Sequence, residues 1–112
     1  MRTLPLDSGD QESTVTPEPL VGVSGFKRDQ LVVLWELADS NPSGVNLMAE
    51  LESQYGTELN RGRLYQNLSD LVADDFVQKR PVDGRTNAYR LTDTGQRCVR
   101  AHLAWVSRRL SE

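Results

Sequence analysis

The sequence predicts a mainly helical domain with one small β-hairpin, and three observations predict it. Apolar residues recur at helical spacing in four separate stretches, the clearest being Leu64, Leu68, Leu71 and Val72. Between the third and fourth stretches the period drops to two, over residues 76–82 (FVQKRPV) and 87–91 (NAYRL). The four residues between those runs, Asp83-Gly84-Arg85-Thr86, are a hairpin signal. A chain of 112 residues accommodates these elements as one domain and has no internal repeat.

Residues 1–24 are polar, acidic and interrupted by three prolines, and they read as a flexible tail in which Leu20, Val21 and Val23 could pack. From Phe26 the pattern changes. Leu31, Leu34, Trp35 and Ala38 give a first helix from residue 26 to 39, ended by SNPSG. Ser43 caps a second helix that carries Val45, Leu47, Met48 and Leu51 and stops at Gly56. Asn60 is the expected N-cap of a third, running to Asp75. Pro81 has no N–H for a ladder, so its strand should be an edge or end there. Thr92, ahead of Asp93, caps a last helix of about 17 residues, with Val99, Leu103, Val106 and Leu110 along one stripe.

The hydrophobic fraction is 38% and aromatics are few, so the core is small, of the kind that dimerisation often completes. No apolar run approaches the ~18 residues of a membrane span, and the N-terminus lacks the apolar core of a signal peptide. A cytoplasmic protein without a membrane partner is expected. The net charge of −3 divides unevenly. Residues 1–59 hold three basic against ten acidic residues, a balance of −7, and residues 60–112 hold ten against six, a balance of +4. Such asymmetry points to a polyanionic partner for the basic half. Arginine outnumbers lysine eleven to two, which fits a GC-rich genome or a halophile.

Three helices followed by a hairpin make a winged helix-turn-helix, here residues 25–91, with the last helix, 92–112, for dimerisation. Helix 60–75 is then the recognition helix for the major groove, and the wing, 76–91, flanks it on the backbone or in the minor groove. Its first turns, NRGRLYQN, gather Asn60, Arg61, Arg63, Gln66 and Asn67. Arginine and glutamine are the side chains that reach guanine and adenine edges. Arg63, Gln66 and Asp70 fall opposite the leucine stripe. Gly62 lets the backbone come close, and Tyr65 at the rim of the stripe has its hydroxyl free for a phosphate. Ser43 and Asn46 at the start of the second helix join this surface, because helix N-termini attract phosphate. The wing supplies Lys79, Arg80, Arg85, Thr86 and Asn87, with Arg90 beside them. A merely solvated face is the plainer alternative for each of these, most of all for the wing cations.

The stretch RGRLYQNLSDLVADDFVQKRPVDGRTNAYRLTDTG resembles the core of PadR-like winged-helix transcriptional regulators. Their pattern G-x-L-Y-x-x-L-x-x-L, then a wing and L-T-x-x-G, falls on Gly62, Leu64, Tyr65, Leu68 and Leu71, then Leu91, Thr92 and Gly95. The likeness covers residues 26–110, and the arginine bias and DGRTNAY wing look most like haloarchaeal members. Some of those regulate the oxidative-stress response. The resemblance implies a homodimer joined through the C-terminal helix and bound to a palindromic operator. The interface would use Val99, His102, Leu103, Trp105, Val106 and Leu110. The long C-terminal helical domain of larger members is expected to be missing, so their ligand pockets do not carry over.

No enzyme is expected, because no nucleophile–base pair can be argued and Asp74 and Asp75 read as a helix end. His102 is the only histidine, and no Cys/His/carboxylate set has metal-ligand spacing. No metal and no cofactor are expected. Cys98, beside the apolar stripe, is a candidate redox thiol, although packing is the commoner role of a lone cysteine. The second reading of the whole chain is a winged-helix protein-interaction module that never touches DNA. The basic, amide-rich face of the third helix argues for DNA instead.

Overall fold

The computed structural model describes Leu20 and residues 22–111. The reading of residues 1–24 as a tail lies outside the described residues except at Leu20 and residues 22–24, and Val21 is outside them too. The elements are α1 (Gly25–Glu36), a 3-10 turn (Ala38–Ser40), α2 (Gly44–Tyr55), α3 (Arg61–Ala73), β1 (Val77–Pro81), β2 (Asn87–Leu91) and α4 (Asp93–Leu110). This is the three-helix body with a two-stranded wing that the sequence predicts.

The caps explain the boundaries. Ser43 Oγ accepts from the Asn46 N–H at 3.1 Å while Asn46 Oδ1 accepts from the Ser43 N–H at 3.0 Å, a reciprocal capping box. Gly56, with φ of 73°, closes α2 in the left-handed region. Asn60 Oδ1 accepts from the Arg63 N–H at 2.8 Å. Thr92 Oγ1 accepts from the Gly95 N–H at 2.9 Å and donates to the Asp75 carbonyl at 2.6 Å, tying the start of α4 to the end of α3. Gly95 lies so close to the Phe76 carbonyl oxygen that a Cβ there would collide with it.

Three boundaries differ from expectation. The first α-helix ends at Glu36, not 39, because the chain tightens into the 3-10 turn and then reverses at Asn41 (φ 55°) before Pro42. Ala38 is therefore exposed instead of lying on the apolar stripe. The third helix stops at Ala73, since Asp75 takes a left-handed φ of 66°. The first strand shortens to Val77–Pro81, with Pro81 paired to Asn87 as the last rung, where a missing N–H costs least. One pairing was not legible: the Tyr89 N–H donates to the Pro42 carbonyl at 2.9 Å, and Ser43 bridges Ala88, so the chain entering α2 holds the far edge of β2.

Leu31, Leu34, Leu47, Leu51, Leu64, Leu68, Leu71, Val77, Leu91 and Val99 form the buried core, joined by Leu20. Each such side chain contributes about 1.5–3 kcal/mol through removal from water. Val45, read as an apolar position of α2, is 54% exposed, because it faces the wing instead of the core.

Candidate nucleic-acid interface

Helix α3 is held by α1 through polar contacts. Gln30 is fully buried, the only such polar side chain among the described residues. Its Nε2 donates to the Leu64 carbonyl at 3.4 Å, and its Oε1 accepts from Asn67 Nδ2 at 3.0 Å. This corrects the expectation for Asn67. It is half-buried and turned toward α1, so it positions α3 instead of facing outward. Arg61, Gly62, Arg63 and Gln66 do face outward and are exposed. A Cβ at Gly62 would meet only Asn60 Oδ1, at 3.3 Å, so the helix surface there is open. Asn60 and Asn46 both spend their carbonyl oxygens on caps.

Gln66 Nε2 donates to Asp70 Oδ1 at 3.1 Å, and Lys27 Nζ of α1 lies 3.1 Å from Asp70 Oδ2. The Asp70 carboxyl is held below the usual carboxylate range, first by Lys27 and then by Gln66.

Tyr65 is half-buried, its ring laid against α2 at Gly44. A Cβ at Gly44 would stand 2.5 Å from the Tyr65 hydroxyl oxygen, so glycine there lets the ring close on α2. Beside it opens a cleft of about 290 Å³ lined by Ser43, Tyr65, Arg85, Thr86 and Asn87, with Val45 and Tyr89. Five predicted interface residues from α3, the wing and the start of α2 thus share one concavity. Burial, and next the neighbouring Tyr65, push the Tyr89 hydroxyl above its ordinary value.

The wing tip is organised by Asp83. Its Oδ1 accepts from the Arg85 N–H at 3.0 Å and the Thr86 N–H at 2.9 Å, while the Val82 N–H donates to the Thr86 carbonyl at 2.8 Å. The two backbone N–H groups keep the Asp83 carboxyl below the usual carboxylate range. Strand alternation divides the other wing cations. Lys79 pairs with Tyr89 and faces the second half of α3, across a hollow lined by Ser69, Val72 and Ala73. Arg80, opposite Ala88, and Arg90, opposite Gln78, lie on the other face. Arg90 borders the start of α4, on the side away from Lys79.

Sequence reasoning misses Gln30, Gly44 and Asp83. Gln30 carried a signal, being a polar residue midway between Phe26 and Leu34 on the buried spacing. Asp83 carried one too, since aspartate bonds the backbone two residues on. Gly44 carried none.

On α4, Val99 is buried, His102, Trp105 and Val106 are half-buried, and Leu103 and Leu110 are 41% and 80% exposed. Part of the cover comes from α1, where the Arg100 guanidinium lies 5.5 Å from the Trp35 ring centre. The His102 and Trp105 rings stack at 6.1 Å, Arg109 lies 4.7 Å over Trp105, and His102 Nδ1 is buried without a partner among the described residues. Burial pushes the half-buried Cys98 thiol up, outweighing Arg97. A sensing thiol needs the opposite shift. Among the described residues no three His, Cys, Asp or Glu side chains gather for a metal, and no helix is long and apolar enough to cross a membrane.

Residues 33–101 match the family described as transcriptional regulator PadR-like. A complex structure of hsRosR is similar over 79% of this chain and 76% of that one, at 39% identity and a TM-score of 0.73. RosR of H. salinarum grown from NaBr is similar at 38% identity and a TM-score of 0.74, covering 80% of this chain and 79% of that one. A cysteine-to-serine mutant of E. coli MarR, complexed with operator DNA, is 26% identical with a TM-score of 0.51, over 66% of this chain and 51% of that one. No curated protein sequence matches.

Proposed function

We propose that this chain, which belongs to the PadR-like family of transcriptional regulators, binds a palindromic operator as a homodimer, with α3 in the major groove and the wing beside it. The observation that carries this is the shared cleft, lined by Tyr65 of α3, by Ser43 at the cap of α2, and by Arg85, Thr86 and Asn87 of the wing. Recognition helix and wing form one surface, with Arg61 and Arg63 exposed at its helical end. Arg63 and Gln66 read base edges, and Arg85 and Lys79 meet the backbone or the minor groove. The operator DNA bound to the MarR relative supports the same use of this fold.

The homodimer is supported by α4. Its Leu103 and Leu110 lie open on the stripe that begins in the core at Val99. A second copy on that stripe covers it and sets two recognition helices about 34–36 Å apart, one turn of DNA.

Selection of bound fragments from random DNA, repeated at several salt concentrations, tests the reading. The expected product is an inverted repeat whose two halves are centred about one turn apart. Recovery of no sequence at any salt would leave the protein-interaction module as the better account.

A further inference from the structure

The outward face of a recognition helix is a poor place for a carboxylate, because every phosphate it approaches repels it. Asp70 stands there, one turn beyond Gln66. Its two oxygens are divided between two partners: Oδ1 accepts from Gln66 Nε2 at 3.1 Å, and Oδ2 faces Lys27 Nζ at 3.1 Å. A polar relay therefore runs from Lys27 of α1, through Asp70, to the exposed side chain of Gln66.

Its effect on Gln66 follows from the chemistry of the amide. A glutamine reads adenine with both ends at once, its oxygen accepting from N6 and an N–H donating to N7. The free side chain rotates about several bonds, and binding must freeze them. Asp70 takes one of the two amide N–H groups and leaves one N–H and the oxygen, and an adenine edge takes one donor and one acceptor. It also fixes which end of the amide is nitrogen, since a flipped amide would set oxygen against oxygen. Lys27 in turn offsets the charge of Asp70 and holds its rotamer from a different helix.

We propose that Lys27 and Asp70 are positioning residues that preset Gln66 for an adenine edge, so that base preference at one position of each half-site is set partly from α1. This role rests on the reading of Gln66 as a base-contacting residue. Lys27 and then Gln66 hold the Asp70 carboxyl below the usual carboxylate range. The Asp70 side chain is 41% exposed, so replacing it leaves the core untouched.

The test uses the full chain, a site selected from random DNA, all single-base variants of that site, and a scrambled duplex. Gln66→Ala should abolish preference at one position. Asp70→Ala, which removes both acceptor oxygens, should cut adenine preference at that same position by about threefold and leave the other positions alone, because a helix-face hydrogen bond of this kind is modest. Having lost a negative charge, it should also bind the scrambled duplex more tightly. Lower discrimination with higher general affinity is a signature that simple destabilisation does not produce. Lys27→Met should lower the same preference and also weaken binding to every duplex, since it removes a cation and unmasks a carboxylate. In a Gln66→Ala background, Asp70→Ala should not alter base preference further.

If Asp70→Ala and Lys27→Met keep the full adenine preference while Gln66→Ala loses it, the positioning role is overturned and the base reading stands. A loss spread evenly over all positions overturns it as well. If Gln66→Ala keeps every preference, the base reading fails and the positioning role with it.

Discussion

Helices α3 and α4 carry apolar stripes of nearly the same spacing and end in opposite situations. On α3, Leu64, Leu68 and Leu71 are all buried by the chain's own body. On α4 the stripe is buried at Val99, but Leu103 is 41% and Leu110 80% exposed. Periodicity marks both faces as apolar and says nothing of what covers them. One is closed by α1, α2 and the wing, and the other is left partly open. The polar faces differ in the same way. Those of α3 are bonded into Asp70, Gln30 and a cap, whereas the outer ring system of α4 is Trp105 between His102 and Arg109.

The largest effect is expected on the closed stripe. Leu68→Ala empties a fully enclosed site and should cost about 2–5 kcal/mol of stability, read by chemical denaturation. A cost below about 1 kcal/mol would mean that α3 is not packed as described.

The open stripe should respond differently. Leu103→Glu with Val106→Glu places two charges where a second copy would lie, and should raise the dimer dissociation constant by about a hundredfold or more. Sedimentation should show a monomer that keeps its helical spectrum, and operator binding should collapse. A mutant that stays dimeric and binds normally would place the dimer elsewhere, most simply on α1, and would end the contrast between the two helices.

How far the sequence carried this comparison depends on the distance over which each feature is decided. Caps were legible because Ser43, Asn60 and Thr92 bond N–H groups three residues away. The wing was legible because Asp83-Gly84 sits between two alternating runs. What escaped is decided at long range. Asn67 turns inward because Gln30, 37 residues earlier, is buried against it. Val45 is exposed because it lines the open cleft toward the wing and not the core. Among the candidate residues, the exposure of Arg61, Arg63 and Gln66 needed only the helical period, whereas the cleft that Tyr65 shares with Arg85 needed the fold.

A smaller effect comes from the outward face of α3. Arg63→Ala should cost about 1–3 kcal/mol of specific binding and relax base preference at one position per half-site. Folding stability should stay nearly constant, since Arg63 is exposed. Competition between operator and scrambled duplexes measures it, and unchanged discrimination would remove Arg63 from the interface.

The smallest effects belong to the wing, and two variants there separate charge from shape. Arg85→Ala removes a cation, so binding to all sequences should weaken about equally and the salt slope should flatten by roughly one unit. If Arg85 enters a narrow minor groove, the loss should instead follow A·T content. Asp83→Ala keeps every cation but deprives the Arg85 and Thr86 N–H groups of their shared acceptor. The turn then samples other conformations, and Arg85 must be ordered anew on binding. The salt slope should therefore stay as it was while affinity falls by a fraction of the Arg85→Ala loss. Removing an acid near DNA would by charge alone strengthen binding, so a net weakening isolates the geometric part. Tighter binding by Asp83→Ala would show that the turn holds without its acceptor and that Asp83 matters only as a charge.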